Sequence, residues 1–267
     1  MKPGIYYGLS NEAYHAGPGI SKSQLDDIAI NPAVYLWRKH APVDAEKTAA
    51  LDMGSALHCL LLEPEEFAKR FVVAPSFNRR TTQGKADEQA FIKETRVHGL
   101  SVMDAEQGRK LQLMRESVMA HHTARFLLEA DGHCESSVYW TDNETEELCR
   151  IRPDKMLMNR PLVIDLKKVC DMSRFARHIE EFRYHVQAAM YSEGFFNTFN
   201  THPQFVFIAV SEAIDCGLYP VRVFEVHEDD LSAGYNLFRR DLNTYHDCRL
   251  SGHWGGVETI RRPAWAR

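Results

Sequence analysis

The 267 residues are 44% hydrophobic, enough to bury the core of one large domain. A formal charge of −5, from 32 basic and 37 acidic side chains, excludes a chain that coats polyanions by bulk charge, so any nucleic-acid contact needs a local patch. No apolar run has transmembrane length and no signal-peptide pattern opens the chain, so the expected location is the cytoplasm, away from membranes.

Residues 1–20, with Gly4, Gly8, Gly17, Pro18 and Gly19, read as irregular. "ISKSQLDDIAINPAVYLWRKH" reads as helix, capped by Ser21 or Ser23 and broken or kinked at Asn31-Pro32. "AALDMGSALHCLLLEPEEF" is a second, mostly apolar helix ended by Pro64. "RFVVAP" is a short strand, and "SFNRRTTQGKAD" after it reads as a polar, basic loop. From Lys69 to Arg96 there are seven basic residues against three acidic, a local surplus of +4. That surplus fits a phosphate-facing surface, with Arg79 and Arg80 as its substrate-binding candidates, or an ordinary solvated face. "DAEQGRKLQLMRESVMAH" is a helix with a capping-box pair at Asp104 and Gln107, and "TARFLLEA" is a shorter one.

The period then changes from helix to strand. "HCESSVYW", "LCRIRPDKMLM" and "PLVIDLKKV" read as three strands of an antiparallel meander. "SRFARHIEEFRYHVQAAMYSEGFFNTF" is a long amphipathic helix. "QFVFIAVS" and "GLYPVRVFEV" are two more strands, "DDLSAGYNLFRRDLNTYHDCRL" is the last helix, and an irregular tail follows. The predicted class is α/β (α+β), a central mixed sheet flanked by helices. It forms one domain, 1–267, with an N-terminal helical part at about 20–130 and a sheet core at about 131–267. Six cysteines, Cys59, Cys134, Cys149, Cys170, Cys216 and Cys248, include no C-x-x-C pair. They read as reduced, mostly buried thiols rather than a disulfide framework or zinc site.

The chemistry concentrates in "RIRPDKMLMNRPLVIDLKK", residues 150–168. Asp165 and Lys167 are two apart on a strand and leave the same face, and a neighbouring strand can bring Asp154 beside them. Two close carboxylates repel, and a divalent cation resolves the conflict by taking oxygen ligands from both. The lysine can then orient water or offset charge on phosphorus. A salt bridge at a sheet end, Asp154 or Asp165 with Lys167 or Arg152, is the plainer reading of the same residues. Three further pairs or single residues add weight. Gln187 and Tyr191 share a helix face, Gly54 and His58 share another, and Glu135 opens the strand before Asp154. Each has an ordinary structural reading when taken alone.

In order, G-x-x-x-H, Glu, P-D, D-x-K and Q-x-x-x-Y resemble the RecB-like branch of the P-D-(D/E)-x-K nucleases. "GISKSQLDDIAINPAVYLWRKHAPVD", "LHCLLLEPEEFAKRFVVAPSFNRRT", "CRIRPDK", "FRYHVQAAMYSEGF" and "PAWA" resemble the exonuclease VIII (RecE) nuclease-domain family, from about Ile20 to Trp265. The resemblance implies an ATP-independent exonuclease that digests linear double-stranded DNA from the 5′ end with Mg²⁺, for which Mn²⁺ can substitute. It implies 3′ single strands handed to a RecT-type annealing protein in recombination, and a toroidal homotetramer around the duplex. It assigns His58, Asp154, Asp165 and Lys167 to catalysis, and Asp154, Asp165, His58 and Glu135 to the metal. Gln187 and Tyr191 are expected to position substrate. Lys168 departs from the family, which usually has a small hydroxyl residue there. That departure leaves open an inactive DNA-end-binding module, beside a related endonuclease. A Cas4-like exonuclease would need clustered cysteines for an iron–sulfur centre, which this chain lacks.

Overall fold

The structure, a computed structural model, describes residues 1–42, 53–257, 260–262 and 264–266. The start of the second predicted helix, at 49–52, lies outside the described residues. The N-terminal segment is more ordered than its glycines suggest. It forms β1 (Gly4–Tyr6) and α1 (Asn11–Ala16), whose first turn is capped by Ser10 Oγ at 3.1 Å from Ala13 N. The next predicted helix is two, α2 (Lys22–Ile30) and α3 (Pro32–His40), split where expected. Asn31 caps the second, its Oδ1 accepting from Ala33 N at 2.8 Å, and Pro32 occupies the first turn, where no amide is needed. Pro64 does the same work. It does not merely end α4 (Met53–Leu62) but opens α5 (Pro64–Arg70).

Strands β2 (Phe71–Val73) and β3 (Ser101–Met103) pair in parallel around α6 (Thr82–Val97). The second half of the expected basic loop is thus helix, begun by Thr81 Oγ1 accepting from Gly84 N at 3.0 Å. Helix α7 (Ala105–Ala120) carries the predicted capping box, with Asp104 and Gln107 bonded reciprocally at 2.7 and 2.9 Å, and α8 (His122–Glu129) follows.

The predicted meander is divided between two sheets. "HCESSVYW" breaks at Glu135 into β4 (His133–Cys134) and β5 (Ser137–Thr141). "LCRIRPDKMLM" breaks at Pro153-Asp154 into β6 (Leu148–Ile151) and β7 (Lys155–Leu157), so Pro-Asp lies between strands rather than within one. Strands β1, β5 and β6 make a three-stranded antiparallel sheet. The five-stranded sheet runs β10–β9–β8–β7–β4, with β8 (Leu162–Val169), β9 (Gln204–Ser211) and β10 (Val221–Glu225). Only the β8–β9 pair in it is parallel, joined by a helical crossover. That crossover is not one long helix. It contains α9 (Phe175–Glu181) and α10 (Tyr184–Phe199), separated by Arg183 in left-handed backbone with φ 53°. Ion pairs from Arg183 to Asp26 and Asp241 hold this conformation.

Strand β8 is buried on both faces, which explains its almost unbroken apolar run. Val163 packs with Phe205, Phe207, Val186 and Leu25 on one face. Leu162, Ile164 and Leu166 pack with Leu57, Met114 and Leu127 on the other. The last helix, α11 (Glu228–Ser251), lies so close to α10 that a Cβ at Gly234 would sit 2.2 Å from the His185 carbonyl oxygen. All six cysteines are free thiols, as expected, but only Cys59 and Cys149 are buried, while Cys170 and Cys216 are exposed. Among the described residues no helix is long and apolar enough to cross a membrane.

Candidate active site

Strand periodicity puts Asp165 and Lys167 on one face of β8, with Lys167 Nζ 2.7 Å from Asp165 Oδ2. Gln187 of α10 bridges them. Its Nε2 donates to Asp165 Oδ1 at 2.5 Å, and its Oε1 accepts from Lys167 Nζ at 3.0 Å. Tyr191, one turn further along, hydrogen-bonds Gln187, and the Tyr184 ring centre lies 4.6 Å from Lys167 Nζ. Lys168 leaves the opposite face and pairs with Glu212, which also lies 4.0 Å from Lys110 of α7. The extra lysine is therefore bound away from Asp154 and Asp165.

Asp154 reaches β8 from the gap between β6 and β7. Its Oδ2 accepts from Leu166 N at 2.6 Å, which pins the carboxyl to the strand between Asp165 and Lys167. His58 of α4 places Nδ1 3.5 Å from the same oxygen. Glu135 sits between β4 and β5 with φ 50°, a left-handed conformation that costs a non-glycine residue about 1–3 kcal/mol. Its amide donates to the Asp154 carbonyl at 3.0 Å. One ligand atom from each of His58, Glu135 and Asp154 lies within 4.8 Å of the others. Asp165 does not join this trio, since its two oxygens face Gln187 and Lys167.

The electrostatics follow from crowding in a buried place. Burial, then the negative charges of Asp165 and Glu135, hold the Asp154 carboxyl well above the usual carboxylate range. Burial also lowers His58, which favours the neutral imidazole with a lone pair to offer. For Lys167 burial acts downward, but Asp165 and Asp154 outweigh it and the ammonium is held above its ordinary value. Two carboxylates and a neutral imidazole suit Mg²⁺ or Mn²⁺, and such a cation would relieve the repulsion that raises Asp154. The donor set therefore fits the metal that the sequence implies.

These groups open onto a cleft of about 910 Å³, lined by His58, Glu135, Asp154, Lys167, Gln187 and Tyr191. Arg79 and Arg80 do not line it. They lie in the turn before α6, and Arg79 is held by Glu88 at 2.5 Å. Lys22, Arg152, Arg183 and Tyr184 line the cleft but were not among the expected site residues. Of these, Arg152 had a signal, lying two residues before Asp154 at a strand end. The other three reach the cleft only through tertiary packing.

Residues 21–259 match a family described as a PDDEXK-like domain of unknown function (DUF3799). The chain belongs to that family. A candidate exonuclease from Eubacterium rectale has a crystal structure that covers 97% of this chain, and 96% of its own, at 14% identity and a TM-score of 0.61. At that identity the match shows a shared fold. An alkaline exonuclease from Laribacter hongkongensis matches 71% of this chain and 95% of its own, at 12% identity and a TM-score of 0.31. A phage-related exonuclease from Haemophilus somnus matches 76% and 96%, at 12% identity and a TM-score of 0.33. No curated protein matches the sequence. The fold is that of the P-D-(D/E)-x-K nucleases, as the sequence led us to expect.

Proposed function

We propose that this chain is a divalent-metal-dependent nuclease that digests linear double-stranded DNA from its ends. The observation that carries the reading is the convergence of Asp154 and Lys167, with His58 and Glu135, on one cleft in a PDDEXK-like fold, with Asp165 buried behind Lys167. A divalent cation held by His58, Glu135 and Asp154 would supply positive charge against a phosphate and make water a better nucleophile. The remaining roles belong to the chain's own groups. Lys167, kept charged by Asp165 and fixed by Gln187, offers a donor to a phosphate oxygen as negative charge builds up. Asp165 holds that ammonium in place, and Tyr184 packs beside it.

The finer features rest on the sequence resemblance. They are 5′-to-3′ polarity, independence of ATP, preference for Mg²⁺, and 3′ overhangs for a RecT-type annealing protein in recombination. A homotetrameric ring around the duplex belongs with them. Linear duplex labelled at its 5′ or 3′ ends, incubated with Mg²⁺ and no ATP, tests the reading. The expected result is release of 5′-mononucleotides from 5′ ends, with closed circular DNA intact and Lys167→Ala inert. Cutting of the circle would make the protein an endonuclease, and full activity of Lys167→Ala would remove the lysine from the mechanism.

A further inference from the structure

We propose that Arg152 is a positioning residue that aims the Glu135 carboxylate into the cation site, through the fork of its guanidinium rather than through its charge. The inference rests on reading the site as a divalent-cation centre. Arg150 and Arg152 lie two apart at the end of β6, and both grip the N-terminal segment. Arg150 donates to the carbonyls of Gly17 at 2.6 Å and His15 at 3.3 Å. Arg152 Nη1 donates to the Leu9 carbonyl at 2.8 Å and to Ser137 Oγ at 3.4 Å, and its guanidinium lies 5.6 Å from the Tyr14 ring centre. Arg150 bonds mainly to backbone carbonyls and does not line the cleft, whereas Arg152 turns one edge inward. Its Nε donates to Glu135 Oε2 at 2.8 Å.

The two ends of the Arg152 guanidinium are thus held by different partners, which fixes its plane. Glu135 needs that support. It sits where the chain passes from the five-stranded to the three-stranded sheet, in left-handed backbone. Its amide is tied to Asp154, but among the described contacts its side chain is bonded only by Arg152. With both ends tied, the carboxylate stays within 4.8 Å of the ligand atoms of His58 and Asp154. A lysine would keep the positive charge, but its single ammonium cannot hold Leu9 and Glu135 from opposite edges of one plane.

Calorimetric titration with Mn²⁺, without DNA, tests the idea on wild type, Arg152→Lys and Arg152→Ala. Duplex binding in EDTA is measured beside it. Both variants should lose about 10–100-fold in Mn²⁺ affinity, as outer partners of metal ligands typically do, with duplex binding in EDTA unchanged. A Glu135→Ala background keeps the test alive should Arg152→Ala not fold. There Arg152→Lys should cause no further loss, and an equal further loss would overturn the clamp. Mn²⁺ affinity of Arg152→Lys equal to wild type would also overturn it, as would weaker duplex binding with unchanged Mn²⁺ affinity, which marks a phosphate contact. Variants unchanged beside a wild type that binds Mn²⁺ defeat the clamp alone. Wild type that binds no Mn²⁺ defeats the cation-centre reading with it.

Discussion

Replacing Gln187 with alanine removes the bridge between Asp165 and Lys167 while leaving both charged groups in place. Gln187 is buried, and its bonds to Asp165 and Lys167 end on charged atoms. Such bonds contribute about 1.5–3 kcal/mol each. The loss is less than additive, because Lys167 keeps its contact with Asp165 at 2.7 Å. We expect destabilisation of roughly 2–4 kcal/mol, which lowers the melting temperature by about 5–15 °C in a domain of this size. The catalytic effect is larger than a stability change explains. An unbridged ammonium swings away from the phosphate, and a misplacement of that kind costs about 100-fold in kcat. Duplex binding in EDTA should be unaffected. Gln187→Glu should not rescue, since its carboxylate can accept from Lys167 but meets Asp165 as a like charge. Single-turnover digestion of end-labelled duplex reads the rate, and thermal melting reads the stability. A Gln187→Ala enzyme with kcat within twofold of wild type would refute the bridging role.

Lys168→Ala removes the pair with Glu212 on the far face of β8; digestion should continue at the wild-type rate and stability should fall by about 1 kcal/mol or less. A tenfold loss of rate would put Lys168 back among the site residues. The Asp142–Arg239 pair contributes to acid stability. Burial alone would raise the Asp142 carboxyl, but bonds from Arg239 and Thr145 outweigh it and hold it below the usual range. Its contribution is therefore full above the unfolded carboxylate value of about 3.9 and is lost as pH falls through the lower folded value. Melting temperatures of Asp142→Asn should fall less steeply with acid than those of wild type; parallel curves would contradict this. Should the basic segment around α6 meet the duplex, Arg80→Ala would weaken binding and reduce the slope of log affinity against log salt by about one, with kcat unchanged. An unaltered slope would remove Arg80 from the interface.

Elements with strong local signals were legible in the sequence. The apolar run of β8, the capping box of α7 and the Asn31-Pro32 break each follow from chemistry within a few residues. The breaks that shape the site did not announce themselves. Glu135 and Arg183 adopt left-handed backbone without being glycine or asparagine, and partners distant in sequence hold them there: Arg152 for one, Asp26 and Asp241 for the other. The division of one apparent meander into two sheets follows directly from the Glu135 and Pro153-Asp154 breaks. The pairing of Asp165 and Lys167 was readable from period two. That Asp165 faces Gln187, leaving His58, Glu135 and Asp154 as the trio, depended on where α4 and α10 pack.

The most direct test of the central claim is anomalous diffraction from crystals soaked in Mn²⁺. The account predicts a peak bound by His58, Glu135 and Asp154, on the side of β8 where Lys167 stands. A well-occupied peak elsewhere, with these three side chains bare, would contradict it.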